Sequence, residues 1–420
     1  MRKSGIIVLI GIVTGVSACE KVAEIPADIP ISPTTGTRVQ FTLDSIFLYA
    51  RQIYLWNDII PTYAAFNPRG YATGSDAAGA FEKELFDITQ LKINPQTSMA
   101  YEAGVSSGTP KYSFLTEKGE GGNLAAVGSP SLPALLKDTI IINENKPVAY
   151  IALGSFPELY TCQTVLDEAF SKFAVVSPQQ LVVDLRSNGG GFVETAEYIA
   201  NLIAPQSLNG KVMFSEQYNS LLQNGQATIL KNQPYLDANG KPVTYMGRQA
   251  TMADVDYTES ANTHRFNKKG SLQSVKDIYF ITSFRTASAS ELLISSLKPY
   301  FNIKLVGETT FGKPVGFFPV TIDIYSVYLS SFLIRNAQGW SAYFQGIPPD
   351  VFVAEQDNPV LGDPMEACLS NVLKLINGSS GLNTVNKKTV QANIFHKRAS
   401  SSISLVQNSM IENRLKLKTN

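Results

Sequence analysis

Strands and helices alternate from residue 147 onward, and this alternation restricts the fold more than any other feature of the sequence. A strand that is apolar along its whole length is covered on both faces, so the helices are expected on both sides of a sheet. The predicted class is therefore α/β or α+β. Strands are predicted at 147–153, 180–186, 277–282, 303–308 and, consecutively, within 321–335; helices are predicted at 162–173, 192–203, 290–298 and 363–376.

The segment before this core has a different pattern. Apolar residues recur at helical spacing over 41–60, up to Pro61, and a second helix is predicted at 74–91. Residues 93–145 indicate turns and short strands. A length of 420 residues favours two or three structural units. The predicted boundaries are 1–18 for a signal peptide, 19–39 for a tether, 40–145 for an N-terminal region, helical and then in short strands, 146–377 for the core, and 378–420 for a basic, mobile tail.

The N-terminus is typical of an exported bacterial protein. Arg2 and Lys3 precede an apolar run over 6–13, which is shorter than the roughly 20 residues that cross a bilayer. Small residues then lead to Cys19, and "VSAC" resembles the lipobox in which this cysteine is lipidated. A secretory signal with an incidental cysteine is the alternative. We expect a lipid anchor at Cys19 and a location in the cell envelope, at the outer membrane.

Composition excludes several classes of function. Thirty-five basic and 35 acidic residues cancel, so nucleic acid is not expected as a partner. The chain has two histidines, His264 in a polar, loop-like stretch and His396 in the basic tail, and it has no CxxC spacing. A zinc site built by the protein is therefore not expected, and no metal or cofactor is predicted. Cys162 and Cys368 lie in apolar surroundings, which favours buried free thiols over a disulfide.

Ser288 follows a predicted buried strand and precedes a helix. With Glu291 three residues later it fits a capping box, in which both side chains satisfy backbone N–H groups. The same place suits a nucleophile, because the N-terminus of a helix favours negative charge and the N–H of Ala289 is available to an oxyanion. Both interpretations remain open from this stretch alone.

A serine nucleophile needs a base, and neither histidine lies at the end of a core element. The remaining variant is a Ser-Lys pair, in which burial leaves the lysine neutral. Lys313 stands in "LVGETTFGKPVGFF" among glycines and near Phe311, Phe317 and Phe318, which would desolvate its ammonium group. A surface lysine in a turn is the alternative.

Three glycines, 189–191, separate a buried strand from a helix in "VVDLRSNGGGFVE". Such a turn lets a backbone N–H approach a ligand closely, as an oxyanion donor would. The spacing does not match a dinucleotide or Walker motif. Asp184 and Arg186 are expected to form a structural pair near the end of the strand.

"DLRSNGGG", "TASASELL" and "VGETTFGKPVG" together resemble, in order and spacing, the motifs of the carboxyl-terminal processing peptidases, the S41 serine peptidases. The match covers roughly 147–376 and looks closest to lipoprotein members from Bacteroidetes-type bacteria. "QGIPPDVFV", "YLWND" and "KYSFLTE" resemble further segments of that family. The resemblance implies a crotonase-like ββα core preceded by a helical region.

The resemblance also implies roles for individual residues. Ser288 corresponds to the nucleophile, Lys313 to the general base, and Ala289 with Gly190 or Gly191 to the oxyanion donors. Two departures stand out. Many members carry a glutamine where this chain has Phe317, and most insert a PDZ domain where only residues 118–146 are available here.

The predicted function is that of an exported serine endopeptidase. It would cut unfolded or flexible polypeptides through an acyl-enzyme, without a cofactor, while anchored to a membrane by its N-terminal lipid. A peptide-binding lipoprotein that keeps the fold but has little or no activity is the alternative, motivated by Phe317. An acyl-CoA enzyme of the crotonase type is a third possibility, which export from the cytoplasm disfavours. The sequence gives no prediction of oligomeric state.

Overall fold

The structure is a computed structural model that describes residues 33–104, 108–117, 132–237, 240–378, 410–412 and 414–419. The predicted signal peptide, Cys19 and His396 lie outside the described residues. Within the described ranges, no helix is both long enough and apolar enough to cross a bilayer.

All six predicted helices are present, and two further short ones occur. The helices of the described residues are α1 (Arg38–Ile53), α2 (Tyr63–Phe66), α3 (Ala77–Thr89), α4 (Leu159–Val176), α5 (Val193–Ile203), α6 (Ser220–Gln223), α7 (Ala289–Leu297) and α8 (Ala367–Ile376).

The strands vary from two to nine residues in length. In chain order they are β1 (Ile93–Asn94), β2 (Met99–Ala100), β3 (Phe114–Glu117), β4 (Leu135–Asn143), β5 (Lys146–Leu153), β6 (Gln180–Asp184), β7 (Gly191–Phe192), β8 (Val212–Tyr218), β9 (Thr244–Tyr245), β10 (Arg248–Gln249), β11 (Thr263–Arg265), β12 (Asp277–Thr282), β13 (Asn302–Gly307), β14 (Val315–Gly316), β15 (Val320–Ile322), β16 (Tyr325–Tyr328), β17 (Phe332–Asn336), β18 (Val351–Phe352) and β19 (Met410–Ile411).

A six-stranded sheet forms the centre of the fold, in the order β18–β13–β12–β6–β5–β4. Its strands are parallel except for β4, which runs antiparallel to β5. Parallel strands have their carboxyl ends at one edge, so the loops after β6, β12 and β13 meet there. Those loops carry the glycine turn, Ser288 and Lys313.

Helices cover both faces of this sheet, as the apolar strands predict. Leu181 and Phe280 point into the core cluster that includes residues of α4, α5 and α7. Val182 and Ile281, their neighbours in sequence, point the other way and pack with α8. The alternation of side chains along each strand therefore places one apolar row on each face. The mixed α/β class and the helical N-terminal region are confirmed.

A second sheet has four strands in the order β11–β8–β17–β14. Its strand β14 begins two residues after Lys313. The predicted consecutive strands at 321–335 are β15, β16 and β17, and β16 pairs with β3 of the N-terminal region. This pairing attaches the N-terminal region directly to the core.

The first helix is shorter than the pattern over 41–60 predicts. α1 ends at Ile53, and Tyr54 is extended. The Leu55 N–H donates to Ser330 O at 2.8 Å, which draws the chain away from the helix axis. Tyr54 is fully buried, and its ring packs edge-on against Trp56, so these aromatic residues fill the core outside a helix.

Part of the segment predicted as a mobile tail, residues 410–412 and 414–419, packs against the core. β19 pairs in parallel with β7, and Leu417 bridges to Val255. Met410 is fully buried, and Leu415 is 7% exposed. Apolar residues lie among the basic ones and anchor this end of the chain. A prediction from the average composition of the tail overlooks these individual residues. Residues 379–409 lie outside the described residues.

The structure describes two of the three cysteines. Cys162 and Cys368 are both buried and free, as their apolar surroundings predict.

Candidate active site

Ser288 lies in the turn between β12 and α7, with φ 61° and ψ −118°. Positive φ is strained for any residue with a Cβ, and such strain is concentrated at functional sites. A serine on a strained turn from strand to helix is also how some hydrolases present a nucleophile. Ser288 is fully buried in the structure.

The turn is held by the loop that follows β6. Thr286 Oγ1 donates to Leu185 O at 2.8 Å, and Ser283 Oγ donates to Arg186 O at 2.5 Å. The Ala287 N–H donates to Asn188 O at 3.2 Å. The strain at Ser288 is therefore supported by hydrogen bonds on the side of the turn that precedes it.

Ser288 and Glu291 take up the capping-box arrangement that the sequence predicts, but only one of its two contacts has hydrogen-bond geometry. The Ser288 N–H donates to Glu291 Oε2 at 2.9 Å. Oγ makes no hydrogen bond to any described residue, so the contact with Lys313 Nζ that a Ser-Lys pair uses is not formed in this structure. A buried hydroxyl without a partner costs free energy, so its retention calls for an explanation such as a ligand or a reaction. The serine is positioned through its backbone, which leaves its oxygen available.

Glu291 also binds the loop that carries Lys313. Oε2 accepts a hydrogen bond from the Lys313 N–H at 2.8 Å, and Oε1 accepts one from the Gly312 N–H at 2.7 Å and one from the Thr310 hydroxyl. Burial raises the pKa of Glu291, and these hydrogen bonds act against that rise. One carboxylate thus joins the Ser288 turn to the lysine loop.

Lys313 is 1% exposed, as its aromatic surroundings predict. Burial lowers the pKa of Lys313 to about 7, against the attraction of Glu102 and Glu291. A large fraction of the side chain is therefore neutral near neutral pH, which is the state that a general base requires.

Phe317 stands where many of the resembling peptidases have a glutamine. The Lys313 Nζ lies 4.4 Å from the centroid of its ring. Phe317 is fully buried and packs edge-on against Phe114 and Tyr328. The lysine therefore contacts a ring face at this position, where a glutamine would offer an amide.

Glu102 is not predicted as a site residue, because it lies in a stretch with weak periodicity. It is fully buried, and it accepts hydrogen bonds from the Ser113 N–H, the Ser113 hydroxyl and the Ser330 hydroxyl, each at 2.8 Å. Tyr112, beside Ser113, donates its hydroxyl to Gly312 O at 2.6 Å. The N-terminal region thus contributes both a negative charge and a hydrogen bond to the lysine loop.

The glycine turn lies directly against Ser288. A Cβ on Gly190, whose φ is +105°, would lie 2.8 Å from Ser288 Cβ and 2.9 Å from Ala289 N. Only glycine permits this approach. The Gly190 N–H, however, donates to Asn188 Oδ1 at 2.9 Å, so it is engaged, contrary to the expectation that it serves an oxyanion.

Of the other two predicted donors, Ala289 remains a candidate, whereas Gly191 pairs with Met410 of β19. Phe156 bonds to Gly190 O and to the Phe192 N–H, so the N–H of Gly191 faces the opposite edge, next to β19. Ala289 is the first residue of α7, and its N–H has no acceptor within the helix.

The other predicted residues lie apart from this arrangement. Arg186 pairs with Asp184 at 2.8 Å, as expected, and also with Glu366 at 2.7 Å, which ties the end of β6 to α8. His264 lies on β11 of the second sheet, not in a loop, and its Nδ1 is 2.9 Å from Glu197 Oε2. We assign it no part at Ser288.

Residues 147–353 match the profile of Peptidase family S41. These residues belong to peptidase family S41. The S41 region contains Ser288, Lys313 and the glycine turn, whereas Glu102 and β19 lie outside it. The family predicted from the three motifs is therefore confirmed.

A curated protein is similar to part of this chain. The carboxy-terminal processing protease CtpA of Bacillus subtilis (strain 168) is 26% identical over 197 residues, which is 46% of this chain and 32% of that protein. The match thus spans about a third of the curated relative.

Several solved structures are also similar in fold to this chain. The photosystem II D1 C-terminal processing protease has a TM-score of 0.46 and 14% identity, over 76% of this chain and 94% of that one. A lipoprotein from Streptococcus agalactiae has a TM-score of 0.45 and 16% identity, over 83% and 99%.

Proposed function

We propose that this chain is a serine endopeptidase that uses Ser288 as nucleophile and Lys313 as general base. The observation that carries the proposal is the backbone of Ser288, which is strained, buried and held by its N–H while its oxygen stays without a partner among the described residues. The buried lysine on the adjoining loop supplies a base that is partly neutral at pH 7.

The reaction follows from these groups. Ser288 Oγ attacks the carbonyl carbon of a peptide bond as its proton moves to the neutral Lys313 Nζ. The N–H group of Ala289, at the start of α7, stabilises the negative oxygen of the tetrahedral intermediate. The lysine then gives its proton to the leaving amine, and the C–N bond breaks to leave an acyl-enzyme. Water, deprotonated by the same lysine, hydrolyses this ester and restores Ser288.

The substrates in this proposal are unfolded or flexible polypeptides of the cell envelope. Ser288 is fully buried, so a substrate reaches it only through a local opening, and an extended chain needs a smaller opening than a folded domain does. Anchoring through lipid at Cys19 would place the enzyme among exported proteins. Metabolic labelling with a fatty acid tests the anchor: the native chain should incorporate label, and Cys19→Ser should not.

Hydrolysis of an unfolded protein by wild type, Ser288→Ala and Lys313→Ala tests the activity. We expect both variants to lose nearly all turnover, while Ser171→Ala and Lys172→Ala, at exposed positions of α4, keep it. Equal turnover by wild type and both active-site variants would refute the proposal. Binding of the substrate by wild type without any turnover would favour the alternative, a peptide-binding protein with the same fold.

A further inference from the structure

A group of charged side chains lies where the C-terminal segment meets the second sheet. Glu216 comes from β8, His264 from β11 and Glu197 from α5, while Glu412 and Arg414 follow β19. Glu216 is fully buried and Glu412 is 4% exposed. None of these residues belongs to the arrangement around Ser288.

Three of these residues direct ligand atoms toward one another. One ring nitrogen of His264 and one carboxylate oxygen each of Glu216 and Glu412 all lie within 4.8 Å of one another. His264 Nε2 is 3.8 Å from Glu216 Oε1, which is too long for a hydrogen bond. Glu216 Oε1 is buried and has no hydrogen-bond partner among the described residues, whereas Oε2 accepts from the Tyr218 hydroxyl.

Contacts at Nδ1 and on one ring face orient the imidazole of His264. Its Nδ1 lies 2.9 Å from Glu197 Oε2, and its ring stacks on Phe214 at 4.3 Å. A proton on Nδ1 that is donated to Glu197 leaves the lone pair of Nε2 directed at Glu216. Histidines that bind metals have this outer carboxylate as a rule, because it fixes the tautomer and the ring.

The charge in the cluster can be balanced either by protons on His264 and Glu216 or by a further cation. Glu197, Glu216 and Glu412 carry three negative charges when ionised, and Arg414 supplies one positive charge through pairs of 2.9 Å with Glu197 and Glu412. Buried charges require compensation. A divalent cation among the three ligand atoms would bring the sum to zero with a neutral histidine.

We propose that Glu216, His264 and Glu412 bind one divalent transition-metal ion of the zinc type. Zinc takes imidazole nitrogen and carboxylate oxygen at about 2.0–2.2 Å, so two ligands at a tetrahedral angle are separated by roughly 3.4 Å. The observed 3.8 Å between Nε2 and Oε1 is close to this separation. A water molecule would complete the set of four ligands.

Metal binding would have a structural consequence beside Ser288. Glu412 directly follows β19, whose Met410 pairs with Gly191 and whose Ile411 bridges to Phe317. A metal that joins Glu412 to β8 and β11 therefore fastens this strand against the glycine turn and the lysine loop. This inference concerns metal binding alone and does not depend on the proposed peptidase activity.

Calorimetric titration with ZnCl₂ after removal of metals by EDTA tests the site. We expect wild type to bind one zinc ion per chain, and hydrogen exchange at residues 410–412 to be slower with zinc than with EDTA. Glu412→Gln should bind zinc at least about tenfold more weakly, and Glu197→Gln about 10–100-fold more weakly. Glu168→Gln, at an exposed position of α4, is the matched control and should bind as wild type does.

Thermal melting in EDTA verifies that each variant is folded, and Glu412 is suited to this test because it lies in the terminal segment. The proposal is overturned if wild type binds no stoichiometric zinc, which would mean that protons on His264 and Glu216 balance the charge. It is equally overturned if Glu412→Gln binds zinc as tightly as wild type does.

Discussion

Ser288 and Lys313 donate their backbone N–H groups to the same oxygen, Oε2 of Glu291, at 2.9 and 2.8 Å. The two residues are carried by loops after different strands of the central sheet. A shared acceptor fixes the distance between their backbones more tightly than packing alone would. Glu291, which the sequence presents as a capping residue, is thus a positioning residue for both members of the proposed dyad.

Glu291→Gln is expected to lower kcat more than it changes KM. The amide retains one acceptor oxygen, so two of the four groups that now donate to the carboxylate lose their partner. The free energy of unfolding should fall by roughly 3 kcal/mol, since buried hydrogen bonds to charged groups are worth about 1.5–3 kcal/mol each. Kinetics well below the melting temperature separate the two effects. An unchanged kcat in a destabilised variant would show that Glu291 has only a structural role.

Gly190→Ala is expected to abolish activity and to destabilise the chain, because its Cβ would lie 2.8 Å from Ser288 Cβ. Gly74→Ala is a matched control: its φ of +108° is nearly that of Gly190 at +105°, and a Cβ there meets nothing within 4 Å. Both variants carry the strain of positive φ, but only one creates the clash. Peptide hydrolysis and thermal melting of the pair measure the difference. Equal behaviour would contradict the close approach of Gly190 to Ser288.

Much of this site could be predicted from the sequence, because its parts follow apolar strands that are easy to locate. The strand at 277–282 and the turn before α7 fixed the place of Ser288, and aromatic neighbours indicated that Lys313 is buried. The engagement of the Gly190 N–H by Asn188 depends on a side-chain rotamer, which no spacing encodes.

Other features escaped prediction because they join residues that are distant in the chain. Glu102 lies in a stretch without clear periodicity and reaches the site only when β3 pairs with β16. Glu216, His264 and Glu412 come from three separate segments, so a search for ligands at short spacing misses them. The position of residues 410–412 depends on pairing with β7 and with Phe317, which are far away in the sequence.

Lys313→Met is expected to stabilise the chain, most strongly below pH 7. The pKa of Lys313 is about 7 in the folded chain against 10.5 for an ordinary lysine. Below pH 7 the folded wild type therefore holds a buried ammonium, which costs up to about 5 kcal/mol from the size of this shift. The cost declines as pH rises from 7 to 10.5, because the folded state has then released its proton while the unfolded state still binds one. Denaturant unfolding at several pH values measures the difference. A constant difference across this range would contradict the lowered pKa.

Peptidase activity is expected to rise with pH around 7, as Lys313 becomes neutral. The Phe317 ring, 4.4 Å from Nζ, favours the ammonium form through a cation–π contact. Phe317→Leu should therefore move the midpoint of the kcat/KM profile to lower pH by roughly 0.5–1 unit. Phe114→Leu, at a ring that packs on Phe317, controls for lost packing. Equal midpoints for both variants would show that the ring does not set the basicity of Lys313.

The most direct test of the central claim is the site and rate of covalent modification by a serine-reactive phosphonylating reagent, followed by peptide mass spectrometry. The account predicts a single adduct on Ser288 in wild type, with a rate that increases through pH 7. It predicts that Lys313→Met, with its turn intact, is modified far more slowly at pH 8. Modification of another residue, or equal rates for wild type and Lys313→Met, would contradict a nucleophile at Ser288 that is activated by neutral Lys313.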